Sequence, residues 1–369
     1  MPEVLLVIGT RPEAIKLLPV YRALRARGAD VAVVTTGQHT GMLDPLMEAL
    51  GFPVSHSLDL GGPPASLAAL SARLLTSLDG VLEVLLPKRV VVQGDTTSAA
   101  MGALAAYYRD IRVAHVEAGL RTGRPREPFP EELNRQVVAR IADLHFAPTS
   151  GAQAHLRREG IEDACIHVVG NTIVDALRDI RERVLPFMAD DAAIRPILAS
   201  PRPLLLVTAH RRENHGAGLD NLAAALKRLA VDLDGKVEIA FPLHLNPAAS
   251  VPVRRELEAV TGVHLLPPLL YPQFLKLLTR ASVVLTDSGG VQEECAALGT
   301  PLLIARNVTE RSEVIECGVG ELVGLNTEVI HRAALRLLTD EGLRASRAKP
   351  SAAFGDGHAG ARIAALLQP

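Results

Sequence analysis

Short runs of apolar, mostly β-branched residues alternate with longer amphipathic stretches along this chain, and this alternation constrains the fold more than any other feature. Four such runs stand in the first half: Val4 to Ile8, Val31 to Thr35, Arg89 to Gln93 and Arg112 to Val116. Runs of this kind are typical of buried parallel strands. The gaps predict helices, among them residues 12–27, with Pro12 in the first turn, and Thr97 to Tyr108. The pattern therefore indicates an α/β fold with a parallel sheet.

The same pattern restarts in the second half, which indicates a second α/β domain. Its apolar runs are Pro203 to Thr208, Val237 to Ala240, Val263 to Leu266, Ser282 to Leu285 and Pro301 to Ile304. A chain of 369 residues is long enough for at least two domains. We expect a Rossmann-like domain over residues 1–170 and a second over residues 171–354, although the Pro-containing stretch 186–203 would also serve as a boundary.

Composition excludes several classes of protein. The net charge is −2 and aromatic residues make up 3% with no Trp, so the chain offers nucleic acid neither long-range attraction nor a stacking platform. Cys165, Cys295 and Cys317 form no CxxC pair, which disfavours a disulfide framework or a zinc site and favours a reducing compartment. The run Val4 to Ile8 is too short for a signal sequence or a membrane span. We expect a cytoplasmic protein with no nucleic-acid or membrane partner.

Polar residues follow several predicted strands directly. These turns are Gly9–Glu13, Gly94–Thr97, Glu117–Thr122, Ala209–Glu213 and Asp287–Gly290. In open parallel sheets ligands bind beyond the carboxyl ends of the strands. We therefore expect these charged groups to converge on a cleft between the two domains.

The turn Asp287–Gly290 leads from a strand into a helix, and its small residues suit an anion. Backbone N–H groups of Ser288, Gly289 and Gly290 can approach a phosphate at the positive end of the helix. The alternative is a capped helix start, with Asp287 or Ser288 as the cap. No G-x-G-x-x-G follows the first strand and no P-loop motif occurs, which disfavours nicotinamide dinucleotides and P-loop hydrolysis.

Cationic side chains are predicted to face that anion. Arg11 directly follows the first strand, although an Arg near a helix start could be a solvated surface charge, and Lys16 lies about one turn further on. The row His210–Arg212 would repel itself unless an anion lies between its members. His215 and His244 do not complete a metal motif with His210, so we predict no metal.

Three carboxylates are candidates for acid/base chemistry: Asp95, Glu117 and Glu131. Burial and mutual repulsion can raise the pKa of one such group while a neighbouring Arg lowers that of another. Asp95 and Glu131 could instead cap helices. Glu117, at a strand end between His115 and Gly119, is less convincing as a cap.

With these turns in hand, the chain resembles the non-hydrolysing UDP-N-acetylglucosamine 2-epimerases over nearly its whole length. The motifs are Gly9–Lys16, Gly94–Thr97, His115–Thr122, Pro130–Arg135, His210–Asn214, His244–Pro247, Thr286–Glu294, Thr309–Arg311 and Gly355–Gly357. The resemblance implies the two-domain glycosyltransferase-B (GT-B) architecture, with two Rossmann-like domains facing across a cleft and residues 355–369 returning to the first domain. It also implies a homodimer.

The activity implied by the resemblance is reversible conversion of UDP-GlcNAc to UDP-ManNAc through elimination of UDP to a glycal and its re-addition, without a cofactor. The implied catalytic residues are Asp95, Glu117, Glu131 and His210. The implied residues that bind the UDP-sugar are Arg11, Lys16, Arg135, Ser288, Gly289, Gly290 and Glu294, with Glu294 on the ribose. The implied second, activating site involves Gln38, Glu132, Arg211 and His244.

Three positions depart from the family's pattern. Gln93 replaces the usual His, Ser312 replaces a Pro, and Thr40-Gly41 replaces a polar pair in the segment that helps to bind the activating nucleotide sugar. The last departure predicts hyperbolic dependence on UDP-GlcNAc. Other functions share the architecture: a hydrolysing 2-epimerase, a GT-B UDP-sugar glycosyltransferase and a non-enzymatic nucleotide-sugar sensor. The three carboxylates favour elimination chemistry over glycosyl transfer, which needs at most one base, and over simple binding.

Overall fold

The computed structural model describes residues 1–38, 40–62, 64–124, 126–211 and 214–368, with the side chains of residues 40–42 outside the description. The chain divides into two compact units. Unit 1 comprises Met1–Glu182 and Phe354–Pro369, and unit 2 comprises Arg183–Ala353.

Unit 1 is built on a parallel sheet of seven strands. They are β1 (Val4–Ile8), β2 (Val31–Thr35), β3 (His56–Ser57), β4 (Arg89–Gln93), β5 (Arg112–Val116), β6 (Leu144–Ala147) and β7 (Ile166–Val168). The order across the sheet is β3-β2-β1-β4-β5-β6-β7. Val4 of β1 aligns with Val31 on one side and with Arg89 on the other, so the carboxyl ends of β1 and β4 lie side by side.

Seven helices of unit 1 precede the second unit. They are α1 (Arg11–Ala26), α2 (Thr40–Ala49), α3 (Leu67–Leu85), α4 (Thr97–Tyr108), α5 (Glu131–Ile141), α6 (Ser150–Arg158) and α7 (Thr172–Arg183). Small residues let α4 approach the sheet closely, since a Cβ at Gly102 would lie 3.2 Å from Val7 Cγ1. This close packing fixes where α4 begins, directly after Asp95 and Thr96.

Unit 2 repeats the arrangement with a parallel sheet of six strands. They are β8 (Leu204–Thr208), β9 (Glu238–Pro242), β10 (Val263–Leu266), β11 (Val283–Thr286), β12 (Leu302–Ile304) and β13 (Gly320–Leu322), in the order β10-β9-β8-β11-β12-β13. Its helices are α8 (Arg195–Ala199), α9 (Ala217–Leu233), α10 (Pro247–Leu257), α11 (Tyr271–Arg280), α12 (Gly289–Leu298), α13 (Glu313–Glu316), α14 (Thr327–Thr339) and α15 (Glu341–Arg347). Short 3₁₀ helices cover Asp163–Cys165 and Leu185–Phe187.

The last helix, α16 (Ala359–Leu367), belongs to unit 1. Asp175 of α7 accepts hydrogen bonds from the backbone N–H groups of Ala359 (3.2 Å) and Gly360 (2.8 Å). These bonds tie α7 and α16 together, so the first unit runs to Glu182 rather than to the expected boundary at residue 170.

The α/β class with two parallel sheets is confirmed. All nine predicted strands are present, with ends shifted by at most two residues. Four further strands were not predicted: β3, β6, β7 and β13. They have two to four residues, and their sequences carry His, Ser, Glu or Gly in place of a continuous β-branched run. Over the described ranges, no helix combines the length and apolarity needed to cross a bilayer.

Candidate functional site

Glu117 forms a buried ion pair at the carboxyl end of β5. Lys16 Nζ, from α1, lies 2.7 Å from each of the two carboxylate oxygens, and both residues are less than a tenth exposed. Gln93, the last residue of β4, also donates its side-chain amide to Glu117. Glu117 takes a left-handed backbone conformation, with φ of 64°. A non-glycine residue in this conformation has a strained backbone, and such strained residues are often found at functional sites.

A second carboxylate group surrounds Arg135 of α5. Its guanidinium donates to Asp95 Oδ2 from Nε (2.8 Å) and from Nη2 (2.6 Å), and to Glu132 Oε2 from Nη1 (2.9 Å). Asn134 Nδ2 donates to the backbone carbonyl of Asp95 at 2.8 Å. The Asp95 side chain remains 27% exposed, whereas Glu132 is fully buried. Asp95 is therefore the member of this group that a ligand can reach.

The capping alternative for Asp95 is wrong. The cap of α4 is Thr96, whose hydroxyl accepts a hydrogen bond from Ala99 N–H at 3.0 Å. Glu131 is the first residue of α5, after Pro130 at the cap position, and it is partly buried. Its negative charge there is favourable to the helix dipole, so both a structural and a chemical role suit it.

Burial lowers the pKa of two cationic or basic groups in unit 1, Arg11 and His115. It lowers the pKa of Arg11, which is half-buried at the start of α1, and lowers that of His115 to about 3. His115 Nε2 lies 2.7 Å from the carbonyl oxygen of Gly94, next to Asp95. A neutral His115 that donates this bond fixes the turn after β4.

In unit 2, the anion beside the turn His210-Arg211 is a carboxylate of the chain itself. Asp287 is fully buried, and its Oδ2 accepts from the backbone N–H groups of His210 and Arg211, both at 2.9 Å. Asn214 Nδ2 donates to the same oxygen at 2.8 Å. Asp287 thus orders this turn rather than capping α12. Arg212 and Glu213, which belong to the same motif, lie outside the described residues.

The side chain of His210 is exposed and stacks on another predicted residue. Its ring lies 5.4 Å from that of His244, with 14° between the planes, and its Nδ1 lies 3.5 Å from Asp287 Oδ1. Across the described ranges, no three His, Cys, Asp or Glu side chains are grouped as metal ligands.

The first turn of α12 is the predicted anion site. Ser288 occupies the cap position and makes no side-chain capping bond. Gly289 gives room to Arg311, since a Cβ at position 289 would lie 2.7 Å from Arg311 Cζ and the guanidinium would have to shift. Gly290 has open space around the position of a Cβ. The orphan N–H groups of a helix start suit a phosphate.

A buried charge network, which sequence reasoning missed, supports this turn. Arg311 donates from Nε to Glu293 Oε1 at 2.6 Å and from Nη1 to Glu310. Arg306 Nη1 donates to the other oxygen of Glu310 at 2.7 Å, and Arg211 Nη2 lies 3.6 Å from Oε1. The motif Thr309–Arg311 was a usable signal, but its partners are distant in sequence.

Glu294, predicted to bind ribose, is buried within α12. Its Oε1 accepts from the Tyr271 hydroxyl at 2.8 Å. Burial, together with the Glu294 charge, raises the pKa of Tyr271 well above its usual range. Tyr271 therefore stays a donor that orients this carboxylate.

The residues predicted for a second site lie in both units. Gln38 Oε1 accepts a hydrogen bond from Ser98 Oγ at 2.6 Å. Besides Arg135, Glu132 has the backbone N–H of Thr122 as a donor, 3.2 Å from its Oε1. Arg211 Nε donates to the carbonyl of Asp287 at 2.9 Å. His39 and the side chains of Thr40-Gly41 lie outside the described residues.

Comparison with known proteins identifies the family. Residues 22–368 match the family model described as UDP-N-acetylglucosamine 2-epimerase. A probable UDP-N-acetylglucosamine 2-epimerase of Ralstonia nicotianae is 40% identical over 100% of this chain and 99% of its own length. The crystal structure of the Neisseria meningitidis UDP-GlcNAc 2-epimerase bound to UDP-GlcNAc is 36% identical, with a TM-score of 0.93 and 99% of each chain covered.

A second solved structure provides a third relative. The Methanocaldococcus jannaschii UDP-GlcNAc 2-epimerase, in complex with UDP-GlcNAc and UDP, is 35% identical, with a TM-score of 0.87 and 99% of each chain covered. The matches to these three relatives run over nearly the full length of this chain, so they include both units. This chain belongs to the UDP-N-acetylglucosamine 2-epimerase family.

Proposed function

We propose that this chain interconverts UDP-GlcNAc and UDP-ManNAc by the non-hydrolysing route. A base removes the proton at C2, the C–H electron pair forms a C1–C2 double bond, and the bond from C1 to the diphosphate oxygen breaks. UDP then adds back to C1 while a proton returns to the opposite face of C2. The observation that carries this proposal is the set of ion-paired carboxylates in unit 1, Glu117 with Lys16 and Asp95 with Arg135.

Inversion at C2 explains why several carboxylates are useful. One group takes the proton from one face and another delivers a proton to the other face, because a single fixed side chain reaches one face only. We assign this acid/base work to Asp95, Glu117 and Glu131. Lys16 and Arg135 hold two of them and contact the substrate.

Departure of UDP has to be assisted, because a C2 proton without a neighbouring carbonyl is scarcely acidic. Cations and helix N–H groups that stabilise the developing charge on the diphosphate make C1 electron-poor and C2–H more acidic. We assign this role to Arg11, His210 and the first turn of α12, Ser288–Gly290. The ordering of the His210 turn by Asp287 supports the assignment, since an imidazole on a fixed backbone needs little rearrangement during the reaction. Glu294 would accept from ribose hydroxyls.

The same proposal covers regulation and assembly. Both oxygens of Glu132 already accept bonds within unit 1, from Arg135 and from the backbone of Thr122 and Gly123. This supports hyperbolic kinetics without activation through Gln38, Glu132, Arg211 and His244.

The route needs neither hydride nor metal, so we propose no cofactor. The family resemblance supports a homodimer, and the free thiols of Cys165, Cys295 and Cys317 support a cytoplasmic enzyme.

Product analysis tests the proposal. The purified chain is incubated with UDP-GlcNAc, and products are separated by anion-exchange chromatography. We expect UDP-ManNAc to rise to a constant minor fraction from UDP-GlcNAc, and the same mixture to form from UDP-ManNAc. Stoichiometric release of free ManNAc and UDP would instead indicate a hydrolysing enzyme, and no reaction without an added acceptor would indicate a transferase.

A further inference from the structure

A buried carboxylate outside the proposed acid/base set links two of the site's turns. Glu13, in the first turn of α1, is 1% exposed. Its Oε2 accepts from the backbone N–H of Gly9 at 3.0 Å, directly after β1. Its Oε1 accepts from the hydroxyl of Thr96 at 2.7 Å, directly before α4. One side chain therefore bridges the ends of the neighbouring strands β1 and β4.

The hydroxyl of Thr96 is directed toward Glu13 by its second bond. Because Thr96 Oγ1 accepts from Ala99 N–H as the cap of α4, its own proton is available to Glu13. Thr96 follows Asp95 in the chain, and Asp95 is held from α5 by Asn134 and Arg135. The backbone around Asp95 is therefore fixed on one side by α5 and on the other through Thr96 by Glu13.

Keeping an acidic group at this position is unfavourable. Burial raises the pKa of Glu13 to about 7, even though the bonds from Thr96 and Gly9 lower it. A hydrophobic residue would suit the buried face of α1 better. Buried acidic residues whose pKa is strongly raised are concentrated at functional sites.

We propose that Glu13 is a positioning residue that holds Asp95 in place through the hydroxyl of Thr96. This inference rests on the proposed function, in which Asp95 is an acid/base group. A misplacement of about 1 Å in a catalytic group costs up to about 100-fold in rate.

Two substitutions distinguish the effect of losing the two hydrogen bonds of Glu13 from the effect of losing its negative charge. Glu13→Met has a similar length and no polar atom, so it breaks both bonds. Glu13→Gln keeps the bond from Gly9 N–H at its Oε1 and replaces the other by a bond of reversed direction, in which its Nε2 donates to the second lone pair of Thr96 Oγ1. We expect Glu13→Met to lower kcat about 10- to 100-fold with KM within about threefold, and Glu13→Gln to stay within about threefold of wild type.

The double variant and a matched control separate positioning from general destabilisation. If Glu13 acts through Asp95, Glu13→Met should lower kcat by less than about threefold further in an Asp95→Asn background. Asp175→Asn removes another buried carboxylate that accepts two backbone bonds, in the α7–α16 contact. It should lower the Tm with kcat within about twofold of wild type.

Several results would overturn the inference. They are an unchanged kcat in Glu13→Met, a Glu13→Gln variant as slow as Glu13→Met, or a full further loss of rate in the Asp95→Asn background. Should Glu13→Met not fold, Thr96→Val against Thr96→Ser provides the same comparison, with the loss expected in Val only. An inactive wild-type chain would overturn the proposed function and this inference together, whereas an active wild type with an unaffected Glu13→Met variant overturns the inference alone.

Discussion

The two units use the same sheet order for different purposes. Asp95 follows β4 and Asp287 follows β11, and these strands hold equivalent places beside the first strand of each unit. The Asp95 side chain is 27% exposed and pairs with Arg135, whereas Asp287 is fully buried and accepts from the backbone of His210 and Arg211. Equivalent positions in a shared fold therefore differ in role according to burial and partners, as expected when function belongs to the site rather than to the fold.

The largest expected effect separates the carboxylates of unit 1 from the residues of unit 2 that we propose to bind the diphosphate, His210 and Ser288–Gly290. Asp95→Asn, Glu117→Gln and Glu131→Gln should each lower kcat by about 10² or more, the usual size of a lost acid/base group. The dissociation constant of UDP, measured by calorimetry, should stay within about threefold, because each amide keeps the shape of the carboxyl group. Equal weakening of UDP binding by all three substitutions would instead show that these residues bind UDP.

Asp287→Asn should show the opposite pattern. An amide oxygen forms weaker bonds with the N–H groups of His210 and Arg211 than a carboxylate does, so the free energy of unfolding should fall by about 1–3 kcal/mol. UDP binding should weaken about tenfold, and kcat should fall as well but by less than in Asp95→Asn, because His210 also stabilises the charge that develops on the departing diphosphate. Urea unfolding and calorimetry measure the two effects. A pure loss of kcat at unchanged stability would contradict the difference drawn between Asp95 and Asp287.

A smaller effect is expected at the first turn of α12. Gly289→Ala places a methyl group against the guanidinium of Arg311, so it should lower the free energy of unfolding by about 1–2 kcal/mol and weaken UDP binding. Gly290→Ala is the matched comparison for stability, because its Cβ meets open space and Ala favours a helix. Thermal unfolding of the two variants checks this. Equal losses of Tm would show that Arg311 does not restrict position 289.

The last expected effect concerns the dependence of stability on pH. Burial raises the pKa of Glu13 to about 7, so the folded chain keeps this proton more tightly than the unfolded chain, and Glu13 costs stability as pH rises from 4.5 to about 7. Burial lowers the pKa of His115 to about 3 and of His145 to about 4, so these groups cost stability as pH falls below 6.5.

Glu13→Gln isolates the first of these contributions. The stability of Glu13→Gln relative to wild type should increase as pH rises from 4.5 to 7, by at most about 1.4 kcal/mol per pH unit. Urea unfolding followed by circular dichroism at several pH values measures this difference. A difference that stays constant over this range would show that Glu13 does not titrate there.

Much of the fold followed from the sequence, and less of the site did. Long β-branched runs such as Val31–Thr35 identify their strands by themselves, whereas β3 and β13 are too short to leave a pattern. The predicted polar turns do follow β1, β4, β5, β8 and β11, because that position depends on the topology alone.

The partners of those groups were not predictable from one sequence. Arg311 pairs with Glu293 eighteen residues away, and Asp287 holds a turn 76 and 77 residues away. Such contacts form when distant segments pack together in the fold, so the spacing of residues within one motif does not indicate them. The same holds for Glu13, whose sequence neighbours give no indication that it bonds to Thr96.

The central claim, that carboxylates of unit 1 remove and return the C2 proton, is tested most directly by proton NMR of UDP-GlcNAc with the purified chain in deuterated water. The account predicts a growing UDP-ManNAc anomeric signal that becomes constant, with deuterium entering C2 of both isomers because the carboxylate exchanges its proton with solvent. Asp95→Asn, Glu117→Gln and Glu131→Gln should slow this exchange together with epimerisation. Formation of UDP-ManNAc with the C2 proton fully retained in both isomers would contradict the account.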